Sequence, residues 1–195
     1  MICIGYKNLV YEIICLWLSK QDKEVRDNKG RRRIKMFNIP YKTSSGSSCI
    51  PIESWLLSEG KVFLQDEINE NSACEFVQKL MFLDKERPDG LIRIYVNSRG
   101  GEVNAGMLIY DAIKNLKAEV DIICTGIAAS MAAIILAGGR KGRRFILPHS
   151  EVMIHEPFVI GGIGGSAEKI QRTAEEILKN KKEFAEILAA DTGRT

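Results

Sequence analysis

The sequence predicts an α/β fold built on a parallel sheet, and three observations lead to this prediction. Short apolar runs of strand length alternate with longer segments whose apolar residues recur at helical spacing, and a glycine turn joins one such strand to the next helix. This alternation is typical of parallel strands joined by crossover helices. The predicted strands are 61–64, 91–97, 120–126, 143–147 and 151–155, and the predicted helices are 68–86, 103–117 and the segment that follows Thr125 and Gly126.

The first two helices have clear sequence signals. Segment 68–86 is amphipathic and begins near Asn69 or Asn71, either of which can cap a helix. In segment 103–117 the apolar residues lie at helical spacing. They are Val103, Met107, Tyr110, Ile113 and Leu116.

The carboxyl-terminal part of the chain has a different character. Residues 158–164 are apolar and glycine-rich, and a long amphipathic helix follows, for which Ser166 is a suitable N-cap. We interpret this strand and helix as a projecting arm that needs a partner subunit, because little chain is present to cover the apolar side chains. A glycine-rich surface loop followed by a packed helix is an equally open alternative.

Composition favours one sizeable domain, with 45% hydrophobic and 27% charged residues. The charge is uneven, since residues 1–42 hold ten Lys/Arg against four Asp/Glu, and the remainder carries a small negative balance. The body therefore predicts no nucleic-acid partner. The basic run GRRRIK could touch nucleic acid or acidic surfaces, but we favour a solvated disordered arm, followed by a polar linker over 36–54.

Five cysteines without a CxxC pair or a histidine-rich neighbourhood argue against a metal site and against a disulfide framework. The apolar segment 9–18 is too short to span a bilayer and contains Glu12. It also lacks the features of a secretory signal. These observations predict a cytoplasmic protein with no membrane partner.

Ser130 is a single hydroxyl within the apolar run TGIAASMAAIILAGG, residues 125–139. It is predicted to lie at a helix N-terminus, where unsatisfied backbone N–H groups and the helix dipole favour negative charge. The small alanines around it would let a peptide backbone approach, as a nucleophile requires. The alternative is a serine that only caps or packs a buried helix.

Two further features favour a catalytic serine. NSRGGEV, residues 97–103, is a glycine pair between a strand and a helix, so its amides could act as oxyanion donors. His155 ends a predicted strand at the edge where open α/β sheets bind ligands, while His149 lies in a predicted turn. A serine, a histidine and an amide nest at neighbouring strand ends make a triad-like site plausible.

Several motifs together resemble the ClpP family of Clp protease proteolytic subunits over residues 50–195. They are GIAASMAA, MIHEP, VNSRGGEVNAGMLIYDAI and RRFILPHSEVMIH. The resemblance implies a crotonase-like fold with a projecting strand-plus-helix handle, and heptameric rings stacked as a tetradecamer. It also implies processive hydrolysis of unfolded polypeptides delivered by an AAA+ unfoldase, which uses the ATP, so that this chain itself needs no cofactor.

The resemblance assigns roles to individual residues. Ser130 matches the nucleophile and His155 the general base. Gly101 and Met131 match the positions whose amides form the oxyanion hole. Two aromatic residues, Tyr95 and Phe145, fall where the family has its unfoldase-docking pocket.

The same resemblance implies a domain organisation, and it leaves one catalytic residue, the triad aspartate, unassigned. It implies a disordered extension over 1–49, a head over 50–157 and a handle over 158–195. Arg99 stands where the family has a proline, and the family's triad aspartate would fall beyond Thr195. We do not assign that role to Asp191, and we expect a truncated chain that is slow or inert.

Two other functions stay open at this stage. The chain could be a non-catalytic ClpP-like subunit that joins mixed rings through 158–191. It could also be a crotonase-type acyl-CoA enzyme, although that activity gives no reason to keep Ser130 and His155 together.

Overall fold

The computed structural model describes residues 25–26, 32–33, 38–43 and 46–194. The chain divides into two compact units, and the boundary between them falls between Lys61 and Val62. The apolar segment 9–18 lies outside the described residues, as does most of the extension for which disorder is predicted.

The amino-terminal unit contains two antiparallel strand pairs and a short helix. Strand β1 (Val25–Arg26) pairs with β2 (Arg32–Arg33), β3 (Asn38–Thr43) pairs with β4 (Gly46–Pro51), and α1 spans Ile52–Ser58. The predicted linker over 36–54 therefore contains a β-hairpin and the start of a helix. Its prolines did not prevent this, because both strands of a two-stranded hairpin are edge strands, where a missing N–H is tolerated.

The carboxyl-terminal unit is built on a five-stranded sheet in the order β5-β6-β7-β8, with β9 also paired to β7. The pairings of β7 with β6, β8 and β9 are all parallel. The elements in chain order are β5 (Lys61–Ile68), α2 (Glu70–Glu86), β6 (Leu91–Gly101), α3 (Val103–Lys114), β7 (Glu119–Ala129), α4 (Met131–Ala137), β8 (Arg144–Ile146), β9 (Glu151–Met153) and α5 (Ala167–Thr192).

The core of this unit lies between the sheet and its helices. The middle of β7 is buried continuously, as expected for a parallel strand covered on both faces. Helix α4 is also buried almost all round and packs on β6, β7 and α3. The predicted parallel α/β fold is confirmed, and each predicted strand and helix of the head is present with ends shifted by a few residues.

Asn69 is the residue that caps α2, which decides between the two predicted asparagines. Its side chain accepts a hydrogen bond from the Ser72 amide at 3.0 Å, and the Ser72 hydroxyl in turn accepts from the Asn69 amide at 3.0 Å. This reciprocal arrangement is a capping box, which satisfies backbone donors that a helix start otherwise leaves unpaired.

Replacing Asn69 by alanine should therefore lower the free energy of unfolding by about 1 kcal/mol. The matched control is Asn71→Ala, because Asn71 is exposed in the first turn of the same helix. This substitution should lower the free energy of unfolding by only a few tenths of a kcal/mol. Urea denaturation of the two variants measures the difference. Equal losses would show that the capping box does not stabilise the helix.

The predicted strand within 158–164 is absent, since no strand is present between Met153 and α5. Gly161, Gly162 and Gly165 adopt positive φ angles of 85°, 83° and 130°, which an extended strand does not use. A lone strand also has no partner edge with which to form a ladder. The open alternative, a glycine-rich surface loop, describes this segment of the single chain.

Helix α5 has two different halves. Ser166 caps it by accepting from the Lys169 amide at 3.3 Å, as predicted. Most of its first half is exposed, including Leu178 at 65%, whereas Phe184 in the second half is buried. The second half packs against α4, so the helix is anchored at its carboxyl-terminal end and solvent-exposed over its first turns.

None of the helices in the described ranges combines the length and the apolar composition that a bilayer-crossing helix requires.

Candidate active site

Ser130 lies at the sharp turn between β7 and α4. Its amide donates to the Met153 carbonyl of β9 at 2.9 Å, and its carbonyl accepts from the Ala133 amide at 2.9 Å. The residue adopts φ 54° and ψ −124°, a conformation that is uncommon for a residue other than glycine. Both backbone groups are therefore held by hydrogen bonds while the backbone is strained, a combination that concentrates at functional sites.

The side chain of Ser130 does not cap α4, although the residue occupies the N-cap position. The prediction from sequence left a capping role open, and this geometry argues against it. A strained strand-to-helix turn instead presents the serine hydroxyl at the carboxyl edge of the sheet, as in the nucleophile elbow of α/β hydrolases. In the described structure this hydroxyl-bearing residue lines an open cleft of about 1270 Å³.

The glycine pair 100–101 lies directly beside the serine turn. A Cβ on Gly100 would come within 2.6 Å of the Ala129 carbonyl oxygen and 2.8 Å of the Ser130 Cβ, so only glycine permits this approach. A Cβ on Gly101 would collide with the Ile68 carbonyl at 2.0 Å. The glycines thus bring the end of β6 into contact with the Ser130 turn on one side and with the end of β5 on the other.

His155 follows β9, whose residues pair in parallel register with the end of β7. Ala129 lies opposite Met153 in this register, so Ser130 and His155 follow the carboxyl ends of adjacent strands. The imidazole is exposed, with Nδ1 lying 2.7 Å from the Glu156 carbonyl oxygen and its ring 5.2 Å from the Phe158 ring. The fold therefore places the histidine at the same sheet edge as the serine.

The structure brings four of the six predicted site residues to one cleft. Ser130, His155, Gly101 and Met131 all line it, together with Arg99, which the sequence places in the same turn. The cleft also receives charged residues from several elements. They are Asp66 and Glu67 from β5, Glu102 before α3, Glu156 after β9 and Lys181 from α5.

The two predicted docking aromatics lie elsewhere, on the sheet. Tyr95 of β6 and Phe145 of β8 both pair in register with Ile123 of β7, so the three residues form a row across adjacent strands. Tyr95 is only 2% exposed and stacks on Phe63 with ring centroids 4.9 Å apart, while Phe145 is partly exposed. None of the three residues of this row lines the cleft.

Asp191 is engaged at the end of α5 and does not contribute to the cleft lining. It accepts from the Tyr110 hydroxyl at 2.9 Å and pairs with the Lys114 ammonium at 2.6 Å. Burial, together with the hydrogen bond to Asp191, raises the pKa of Tyr110 above its ordinary value. The contacts join α5 to α3, which gives Asp191 a structural role.

Sequence reasoning missed Ser98 and Asn97, which help to build the site. The buried Ser98 hydroxyl donates to the Asp66 carbonyl and accepts from the Gly100 amide at 3.1 Å, and the Asn97 side chain accepts from the Ile127 amide at 3.2 Å. Their position in NSRGG, directly before the glycines, was the available signal. Nothing in the sequence indicated the Glu156 carbonyl as a partner of His155.

The cysteines within the described ranges, Cys49, Cys74 and Cys124, are free thiols. Cys124 of the central strand β7 is buried, and this burial raises the pKa of its thiol. In the part of the chain that the structure describes, the side chains of His, Cys, Asp and Glu form no group of three that could hold a metal ion.

A comparison with protein-family models agrees with this architecture. The model described as Clp protease matches residues 44–195, which include every element from β4 to α5. The match covers more than three quarters of the chain and contains the serine turn, the glycine turn and the histidine. The chain therefore belongs to the Clp protease family.

Proposed function

We propose that the cleft hydrolyses peptide bonds of unfolded polypeptides by a serine endopeptidase mechanism. Family membership supports protease function in general, and the arrangement of the cleft supports the specific roles. The observation that carries the proposal is the strained Ser130 turn, which presents its side chain beside the glycine pair in the cleft that His155 also lines.

The first chemical step is attack of the Ser130 hydroxyl oxygen on the scissile carbonyl carbon. The hydroxyl proton passes to His155 Nε2, and the carbonyl oxygen becomes an oxyanion. Amides of Gly101 and Met131 donate hydrogen bonds to this oxyanion, which stabilises the tetrahedral intermediate. The Gly100 contact with the Ser130 turn fixes the distance between the nucleophile and these donors.

The intermediate collapses when His155 returns its proton to the leaving amine, which departs as the new amino terminus. The acyl group then stays on Ser130 as an ester. Water attacks this ester with His155 again acting as base, which releases the carboxylic acid and restores the serine hydroxyl. Every step uses protons and nucleophiles of the chain and water, so the proposal requires no metal or redox cofactor.

The proposal extends to assembly and partners. Phe158, Ile160 and Leu178 are 65%, 84% and 65% exposed on the loop and first half of α5, which favours burial between subunits of stacked heptameric rings. We infer that an AAA+ unfoldase of the cytoplasm feeds the rings and uses the ATP. Its docking site is the row of Tyr95, Ile123 and Phe145 together with Phe63, which stacks on Tyr95. Phe63 and Phe145 contact the unfoldase, because both are partly exposed whereas Tyr95 is buried.

A fluorophosphonate probe tests the catalytic assignment. His155 Nδ1 contacts a backbone carbonyl where a complete triad has a carboxylate, so labelling should be slow and is followed over a long incubation. The wild-type chain should form a covalent adduct that mass spectrometry maps to Ser130, and the Ser130→Ala variant should form none. An adduct on another residue, or an alanine variant that is labelled equally, would contradict the assignment.

The exposed apolar side chains also favour a second candidate, a non-catalytic subunit that joins mixed rings. This candidate predicts an unlabelled Ser130, normal co-assembly with an active paralogue, and ring activity that Ser130→Ala leaves unchanged. Labelling and co-assembly measured on the same preparation separate the two functions.

A further inference from the structure

The residue that follows His155 provides a hydrogen-bond acceptor for its imidazole. Its Nδ1 lies 2.7 Å from the backbone carbonyl oxygen of Glu156. A carbonyl oxygen can only accept, so the neutral imidazole must carry its proton on Nδ1 and leave the Nε2 lone pair available. A general base that receives the Ser130 proton needs this tautomer.

The side chain of the same residue is held from another element. The Glu156 carboxylate pairs with the Lys181 ammonium of α5 at 2.6 Å. Lys181 lies one turn before Phe184, the buried residue that anchors α5. The ion pair therefore joins the histidine segment to the anchored half of the helix, across 25 residues of sequence.

We propose that Lys181 and Glu156 act as positioning residues that hold the His155 imidazole in the Nδ1–H tautomer. This inference rests on the proposed serine mechanism for its catalytic meaning, and on the two contacts for its geometry. Lys181 restrains the Glu156 side chain, and this restraint orients the Glu156 backbone carbonyl. The carbonyl in turn favours the Nδ1–H tautomer of His155. No motif in the sequence assigns a role to either residue.

The expected effect is moderate because the pair is partly solvated. The side chains of Lys181 and Glu156 are 51% and 73% exposed, and exposed ion pairs are worth about 0.2–1 kcal/mol. Loss of the pair should therefore raise the ratio of the Nε2–H to the Nδ1–H tautomer by about 1.4-fold to 5-fold. The Phe158 ring contact remains in every variant considered below. The other charged groups that line the cleft remain as well; they are Asp66, Glu67, Arg99 and Glu102.

Nitrogen-15 NMR of histidine-labelled full-length protein measures the tautomer directly. The chain has only two histidines, so a His149→Gln background leaves His155 as the single signal. Spectra are recorded at about pH 8.5, where an ordinary imidazole is neutral. The reference protein should show mainly the Nδ1–H pattern, and Lys181→Met and Glu156→Gln should each increase the Nε2–H population.

The neighbouring Lys182 provides the matched control, because it lies on the exposed face and is 3.9 Å from Glu186. Lys182→Met should leave the tautomer ratio unchanged. Lys181→Arg should show the same ratio as the reference protein. Fluorophosphonate labelling of Ser130 should slow by the same factor as the Nδ1–H population falls. A merely structural pair would alter stability without changing this ratio.

Identical spectra for Lys181→Met and Lys182→Met would overturn the proposal, as would an Nε2–H tautomer in the reference protein. The outcome is independent of activity. If the tautomer depends on Lys181 but Ser130 is never labelled, the serine mechanism fails and the positioning of the imidazole stands.

Discussion

Replacement of His155 by alanine should reduce peptide hydrolysis by about 10²- to 10⁴-fold, the usual contribution of a general acid–base, and bring fluorophosphonate labelling of Ser130 to background. The nucleophile itself remains in place in this variant, since the backbone of Ser130 is held by Met153 and Ala133 and not by the imidazole. Only the acceptor for the hydroxyl proton is removed. The result therefore tests whether the serine depends on the histidine with which the sequence predicts it to form a triad-like site.

His149→Ala is the control, because His149 is the other histidine of the chain, is exposed, and does not line the cleft. It should retain labelling close to wild type. Second-order labelling rates of the three proteins, with circular dichroism to verify folding, make the comparison. If the two histidine variants are labelled at similar rates, His155 is not the base.

Replacement of Gly100 by alanine should have the second-largest effect, on both stability and labelling. The new Cβ would lie 2.6 Å from the Ala129 carbonyl oxygen and 3.0 Å from the Met131 amide nitrogen. Both neighbours are backbone atoms of the serine turn, so relief of the overlap must displace Ser130. We expect a loss of about 1 kcal/mol from the positive φ of 89° and about 1 to 3 kcal/mol more from the overlap.

Gly142→Ala separates these two costs. Gly142 has nearly the same φ, 84°, but a Cβ there would meet no atom within 4 Å. This control should lose only the conformational part, about 1 kcal/mol, and should be labelled normally. Thermal unfolding measures the difference, since each kcal/mol corresponds to about 2–4 °C in a chain of this size. A Gly100 variant that matches Gly142→Ala in Tm and in labelling would show that the close approach is unimportant.

Helices and strands with strong local signals were predictable. Asn69 before an apolar period of 3.6 predicts a capped helix, and LIRIYVN predicts a buried strand, because both depend on neighbours in sequence. The hairpin at 38–51 was not predictable, since its prolines and serines are typical of a linker and its register depends on cross-strand pairing. The prediction of a strand in the glycine-rich segment after Pro157 was wrong for a related reason. Strand formation there needs a sheet edge with which to pair, and the single chain does not supply one.

The site was predictable in part. Ser130, His155 and the glycine pair could be named from their motifs, and the family resemblance assigned their roles. Ser98 and Asn97 were missed although they directly precede the glycines in NSRGG, because each forms a hydrogen bond with a residue 30 or 32 positions away in sequence. Lys181 had no sequence signal, because its partner Glu156 lies 25 residues away. The docking role of Tyr95 and Phe145 stays a prediction, and the sequence did not indicate that Tyr95 is buried.

The sequence by itself determined the order of strands and helices in the carboxyl-terminal unit and, through the family resemblance, the residues proposed to carry the chemistry. Local periodicity, helix caps and glycine turns depend on residues that are close in sequence, so the sequence shows them directly. The tertiary structure alone decided that Ser130 follows a strained turn without capping its helix. It also decided that Gly100 contacts that turn, that the Glu156 carbonyl meets His155, and that the Glu156 carboxylate pairs with Lys181. These contacts depend on strand register and on side chains that are tens of residues apart in sequence. A local sequence pattern predicts neither of them.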